Sequence, residues 1–519
     1  MHLLTLIVLA PFIAAMVIIA LPDRARAATR LVAITGAGVS LAGAIATILQ
    51  YDLARGGLQM QKVVPLVPSL GISYAVAVDG WSLSLLLLTG IILFAGCWAS
   101  WTVKDRDRDF YVLLLVLSAG VFGVFVSLDM FVFFLFYEIA VLPMYLLIGI
   151  WGSTKKVEIQ GPLAPFLKRL DIGGREYAAM KLTLMLLMGS AFILVGILAL
   201  YMAGGGKTFN MELLRGNMVM SRDTQLWVFP ALWVGFGTLA GLFPFHTWSP
   251  DGHAAAPTAV SMLHAGVLMK LGAFGVIRVG MVMLPEGAQA WALVVGIVAS
   301  INVVYGAFSA MSQKDLKYII AYSSVSHMGV VMLGAATLTV SGWNGAVFQM
   351  FAHGIMTGAF FALVGLIYEK SHTRDVASMG GFAKFMPGIS VVFTLGCLSS
   401  LGLPGTAGFV AEFLVFLGAY KSAHGWWMLP GILGAFITAI YVLKATRQIF
   451  WGPFPEGRFE HLEDARGTEW VAISMLAVCL VLFGFWPNLA LTGVDKATVE
   501  YLSRVVGTSV AAAGPALVP

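Results

Sequence analysis

Long apolar runs alternate with short polar interruptions along almost the whole chain. The runs lie at 2–21, 31–50, 80–102, 110–127, 128–151, 178–203, 225–243, 256–279, 288–311, 318–337, 342–368, 387–419, 426–450 and 469–492. A helix needs about 20 mostly apolar residues to cross a hydrocarbon core. The pattern therefore predicts an all-α polytopic membrane protein with about fourteen transmembrane helices. Two runs are broken, the seventh at GLFPFHTW (241–248) and the twelfth at LGLPGTAGF (401–409). Proline removes a backbone donor and glycine admits other conformations, and paired interrupted helices point to a repeat-built transporter with its site near the midplane. The first run lacks a basic segment before it, so a retained helix is expected rather than a cleaved signal. Residues 51–79, rich in Val and Pro, read as an extended hairpin or interfacial segment.

Composition narrows this further. The chain is 59% hydrophobic and 11% charged, with a mean hydropathy of +0.89, which excludes a string of soluble domains and leaves one membrane domain over 1–519. Cys97, Cys397 and Cys479 each sit alone in an apolar run, so neither a disulfide framework nor an iron–sulfur site is expected. No glycine-rich loop joins a strand to a helix with the spacing of a nucleotide site. The net charge of +5 is spread over loops, which excludes a nucleic-acid face. Counting Lys and Arg in alternate loops gives about nineteen against eight, which predicts both termini on the non-cytoplasmic side.

Ionisable groups inside the runs carry the chemistry. A charge at the centre of a span costs about 2.5–3.5 kcal/mol on insertion scales, so each such group is paired, neutral or used. Glu138 stands alone in MFVFFLFYEIAVLPMY, and Lys270 lies in the middle of the eighth run. Glu412 follows the second break, while His327 and His353 sit singly on apolar runs. Together they supply the alternating acids and bases that a proton relay needs. Lys181, near the start of the sixth run, either reaches toward the Glu138 helix or snorkels to the interface. Arg278 and Lys444 lie close to run ends and are expected to snorkel. His246 and His253 flank the first break with Asp251 between them; this spacing matches no metal-ligand pattern, so a hydrogen-bonded hinge is expected and no metal.

These segments resemble a known family. FYEIAVLPMYLLIGIWG, PFHTWSPDGHAAAPTAVSMLHAGVLMKLGAFGVIR, QKDLKYIIAYSSVSHMG, FAHGIMTGAFFALVGLIYEKSHTRD and LPGTAGFVAEFLVFLGAY are similar to subunit M of proton-translocating NADH–quinone oxidoreductase, respiratory complex I. The resemblance covers most of the chain. It implies fourteen helices with two inverted five-helix repeats, helices four to eight and nine to thirteen. The chain then divides into N-terminal helices (1–109), a first repeat (110–280), a second repeat (287–450) and a last helix with its tail (469–519). The resemblance also implies that Glu138, Lys270, Glu412, His327 and His353 occupy the family's proton-carrying positions. NADH, FMN, iron–sulfur clusters and quinone would then belong to partner subunits, with no redox site or cofactor on this chain. The expected partners are the other membrane-arm subunits, further antiporter-like chains among them, in the bacterial inner membrane.

One position departs from the pattern. The family carries a lysine five residues before the proline of its P-x-H-x-W motif, and here that residue is Leu239. No Lys or Arg occurs between Arg222 and Lys270. His264 is unusual for the family and a candidate to compensate; six residues from Lys270 is roughly 120° around a helix, so a water-mediated or cross-helix role is expected rather than direct contact. Three readings stand: a proton-translocating complex-I-type subunit; an Mrp-type cation/proton antiporter or membrane-bound hydrogenase subunit; and a structural subunit that has lost pumping.

Overall fold

The computed structural model describes residues 2–154, 173–455, 457–459 and 462–507. Residues 155–172, with Lys155, Lys156, Lys168 and Arg169, lie outside the described residues, as does the tail from 508 onward. The chain runs as α1 (Leu3–Ala20), α2 (Arg26–Gln50), β1 (Gln59–Val67), β2 (Ile72–Val78), α3 (Gly80–Ala99), α4 (Asp107–Val126), α5 (Met130–Trp151) and α6 (Arg175–Ala203). Then follow α7 (Arg222–Leu239) and α8 (Thr258–Met281), with a short helix Trp248–Ala255 between them. The rest is α9 (Pro285–Ser312), α10 (Leu316–Ala336), α11 (Val340–Ser371), α12 (Pro387–Ser400), α13 (Ala407–Lys421), α14 (Met428–Trp451), α15 (Glu469–Phe485) and α16 (Asn488–Val506).

Side chains at the loop boundaries start several of these helices. Asp79 accepts from the Ser82 N–H at the head of α3, Asp129 from Phe131 and Val132 at α5, and Asp315 from Lys317 at α10. Each satisfies a backbone donor that the first helical turn leaves free. The segment at 51–79 is a two-stranded antiparallel hairpin, turned at Gly71 with φ 68°.

Among the described residues eleven helices are long and apolar enough to cross a membrane, or twelve if α15 and α16, bent by 63°, count as one span. The expected total of about fourteen included the seventh and twelfth runs. The structure splits both, and α7, α12 and α13 do not meet the length and apolarity of a span on their own.

Burial separates the helices into two kinds. The most apolar window of α8 is 100% buried and those of α10 and α11 are each 94% buried, against 39% for α6 and α14. Polar groups on α8, α10 and α11 therefore lie in the protein interior and not in lipid. Small residues bring these helices together: a Cβ at Gly354 of α11 would stand 2.6 Å from the Gly266 carbonyl oxygen of α8. The middle of α8 is irregular. Regular turns at Met269–Gly275 carry Lys270, and π-helical turns lie on both sides, at His264–Leu268 and Val276–Met281.

The end of α8 corrects one expectation. Arg278 does not snorkel; it is buried, pairs with Asp79 at the head of α3, and lies over the ring of Tyr501 of α16 at 4.5 Å. The Tyr501 hydroxyl donates to Asp79 at 2.6 Å. Burial opposes charge on Asp79, but Arg278, the Ser82 N–H and Tyr501 outweigh it and hold the carboxyl below the ordinary carboxylate range. Removing one partner of a buried pair of this kind leaves a stranded charge, at a cost of about 3–5 kcal/mol. Lys444 of α14 is exposed.

Candidate functional site

Four ionisable side chains from four helices meet in the buried interior. Lys270 of α8 is fully buried; its Nζ donates to the Ala265 carbonyl one turn earlier and stands 2.7 Å from Nδ1 of His353 on α11. The His353 ring faces that of His327 on α10, with centroids 5.2 Å apart. His327 Nε2 lies 3.5 Å from Oε1 of Glu412 on α13. The order is thus Lys270, His353, His327, Glu412. Chain order alone would put His327 before His353, but α11, which follows α10, supplies the imidazole nearer α8.

The hydrogen bonds restrict each member. His327 Nδ1 lies 2.7 Å from the Ser323 carbonyl, and Nε2 lies 3.3 Å from the Ser400 carbonyl as well as facing Glu412. A carbonyl only accepts, so whichever ring nitrogen carries the proton is held against a main-chain oxygen. His353 Nε2 has no hydrogen-bond partner and is free to give or take a proton on the side away from Lys270. Tyr441 of α14 donates to the Ser323 hydroxyl at 2.7 Å, which stands 3.3 Å from His327 Nδ1. Sequence reasoning missed Ser323, Tyr441 and the two carbonyls, since hydroxyls and main-chain oxygens carry no pattern of their own.

The other candidates are not joined to this file. Glu138 on α5 is only partly buried; its Oε1 has no hydrogen-bond partner, and Ser190 of α6 is the polar side chain beside it. Lys181 does not reach the Glu138 helix. It pairs with Asp251 at 2.7 Å, because Asp251, on the short helix after the break, also accepts from Tyr318 at 3.1 Å and offers the nearer anion. His246 is not a hydrogen-bonded hinge: neither ring nitrogen has a partner, and the ring packs against Phe243 and Tyr305. His264 packs between Trp248 and His253.

The two breaks share one turn. Ala240, Gly241 and Leu242 donate to the carbonyls of Phe236, Thr238 and Gly237, and Leu401, Gly402 and Leu403 donate to Cys397, Ser399 and Leu398. Gly241 and Gly402 take φ of 72° and 74°, the left-handed conformation that glycine adopts without strain. What each break does with its freed groups differs. At the first, Asn302 of α9 accepts from Phe243 N–H at 2.8 Å and Trp248 donates to the Thr238 carbonyl at 3.0 Å. At the second, the freed Ser400 carbonyl faces His327.

Residues 127–438 match the family model described as NADH:quinone oxidoreductase/Mrp antiporter, TM. The chain is 37% identical to NAD(P)H-quinone oxidoreductase chain 4 2 of Microcystis aeruginosa, covering 97% of this chain and 93% of that protein. It is also 37% identical to NAD(P)H-quinone oxidoreductase chain 4 1 of a Picosynechococcus species, with 97% and 92% covered. A chain in the structure of respiratory complex I from Thermus thermophilus with bound NADH superposes with a TM-score of 0.85 at 29% identity, over 96% of this chain and 99% of that one. A chain of the Mrp complex from a Dietzia species shares the fold, with a TM-score of 0.80 at 20% identity over 98% and 100%.

Proposed function

The chain belongs to the NADH:quinone oxidoreductase/Mrp antiporter family, as a relative of the chain 4 subunits, and from that premise we propose that it carries protons along the file Lys270, His353, His327, Glu412. It is a multi-pass membrane subunit of a complex-I-type NAD(P)H–quinone oxidoreductase and the antiporter-like, proton-translocating part of that translocase. The single observation behind the route is the direct contact of the Lys270 amine with His353 Nδ1 at 2.7 Å, inside a core closed to lipid.

Lys270 holds the proton at Nζ and passes it to His353 Nδ1 along that contact. His353 releases from Nε2 toward the neighbouring His327, whose ring is tilted by 31° to its own with centroids 5.2 Å apart. His327 gives its Nε2 proton to Glu412, whose neutral carboxyl lets it go on the far side of the second break. Each step moves one proton between neighbouring groups. Glu138 serves the uptake side, through Ser190, in series with Lys270. Moving a charge against 100 mV costs about 2.3 kcal/mol, supplied by quinone reduction on other subunits. NADH, FMN, iron–sulfur clusters and quinone belong to those partners; the buried Cys97 and Cys397 lie on separate helices, and Cys397 contacts the Thr446 hydroxyl at 3.0 Å. The partners include further antiporter-like chains. The Lys and Arg bias of the loops supports a bacterial inner membrane with both termini on the non-cytoplasmic side.

The test replaces Lys270 by Met in the assembled complex in vesicles. Proton transport driven by NADH is expected to fall by about a hundredfold or more, the scale of a lost acid–base group. Unchanged transport in that variant removes the route and leaves a structural subunit.

A further inference from the structure

Where α3, α5 and α11 finish and α4, α8 and α10 begin, the bundle holds a cavity of about 370 Å³ that the proton file does not use. Two cations stand in its wall. Lys317 of α10 and Arg374, in the segment after α11, are 6% and 5% exposed. Arg374 pairs with Asp315 at 3.0 Å and donates from Nη1 to the Ala254 carbonyl at 2.8 Å. Lys317 is differently placed: its Nζ donates to the Ala256 carbonyl at 2.7 Å, and among the described residues no carboxylate stands within ion-pair distance of it. An ammonium has three donors, so two remain for a guest. A buried cation without a counter-charge is costly, which makes the space beside it a place for an anion.

The backbone adds to the pull. Thr258 and Ala259, the first residues of α8, line the same cavity, and no side chain caps that helix start. The first N–H groups of a helix lack intrahelical partners and carry the positive end of its dipole, an arrangement that receives phosphate oxygens. Among the described residues lining the cavity the one carboxylate is Glu369, exposed at the rim and already accepting from the Thr102 hydroxyl at 2.8 Å.

The cavity continues into an apolar crevice. Ala99, Thr102, Thr258, Gly365 and Glu369 border both, and beyond them the crevice runs between α3, α11 and α15 with Trp98, Leu366 and Ile473 on its walls. Trp98 stacks on Trp101 with centroids 5.5 Å apart, and tryptophans gather at the level of lipid headgroups. A charged chamber joined to an apolar slot at that depth matches a single molecule, a phosphate carried on an acyl chain.

We infer that the cavity binds the phosphate group of an anionic phospholipid, with its oxygens on Lys317, Arg374 and the start of α8 and an acyl chain in the crevice. Basic pockets between membrane helices recognise such headgroups. Phosphatidylcholine fits less well, because its trimethylammonium enters beside two cations. The guest ties the starts of α8 and α10 to α3, α11 and α15, and the site is independent of the proton route.

The experiment reconstitutes the assembled complex into phosphatidylcholine vesicles with a trace of phosphatidylglycerol or phosphatidylcholine carrying a photoactivatable acyl chain, and measures adducts on the peptides holding Trp98 and Ile473. The anionic lipid is expected to label them at least about fivefold more than the choline lipid, the worth of one Lys or Arg at a headgroup. Lys317→Met is expected to lower the anionic label about fivefold, whereas Lys317→Arg keeps it within about twofold of wild type. Equal labelling by the two lipids in the wild-type complex overturns the inference, as does an unchanged anionic label in Lys317→Met; the wild-type comparison decides alone where Lys317→Met does not assemble. Inorganic phosphate at matched ionic strength identifies the source of the anion: a label that resists it supports the lipid, and a label lost to it assigns the chamber to the free anion and overturns the lipid.

Discussion

The two interrupted helices close on the same turn, with glycine at the same left-handed φ and the same three backbone bonds, yet they have been put to different uses. At the first break the freed groups are tied down by inert partners, Asn302 and Trp248. At the second they are left facing ionisable ones, with Ser400 turned to His327 and Gly402 set against Glu412. A break in a membrane helix thus supplies polar backbone at mid-depth, and its neighbours decide whether that polarity braces the fold or takes part in chemistry.

The comparison breaks most sharply at Glu412. Glu412→Gln keeps the shape of the second break and removes its acid, so proton transport is expected to fall at least tenfold while the complex assembles at normal yield; transport within twofold of wild type would make the two breaks equivalent. Next comes Asn302→Leu, which strands the Phe243 N–H and the Val325 carbonyl that Asn302 Nδ2 now reaches at 2.8 Å. Each stranded group costs about 1–3 kcal/mol, read as earlier thermal dissociation of the complex. The smallest and most discriminating pair is Gly241→Ala against Gly402→Ala. Both place a side chain at positive φ, a strain of about 1 kcal/mol. At Gly241 the new Cβ meets the flexible end of Met269 at 2.7 Å, whereas at Gly402 it meets Oε2 of Glu412 at 2.9 Å. Matched losses of thermal stability are expected, with proton transport reduced a few-fold only in the Gly402 variant.

Much of this was legible from residue types. Lys270, His327, His353 and Glu412 stand out because an ionisable group in an apolar run has few structural excuses, and the breaks announce themselves through Pro and Gly. What stayed hidden was pairing across helices. The Arg278 side chain looked interfacial because its partner, Asp79, is 199 residues away. Lys181 pointed toward Glu138 only while the fold of the segment carrying Asp251 was unknown. The order of the two histidines in the file depends on which helix packs beside α8, and apolar periodicity is blind to that when helices are buried on all sides. His264 was visible as an oddity; its contact with His253 was not, because a π turn and a broken helix bring the two rings to 4.0 Å between centroids.

The anchor at the end of α8 also says something about when the lysine helix acquires its final form. Asp79 and Tyr501 are 422 residues apart in sequence, so their bond is among the last that a growing chain can make. Until α16 has been synthesised and folded back, Arg278 has no aromatic face to lie on and Asp79 lacks one of its donors. The helix bearing Lys270 is therefore finished from its far end only at the close of biogenesis, and a conduction path through it matures after the membrane spans are already in place.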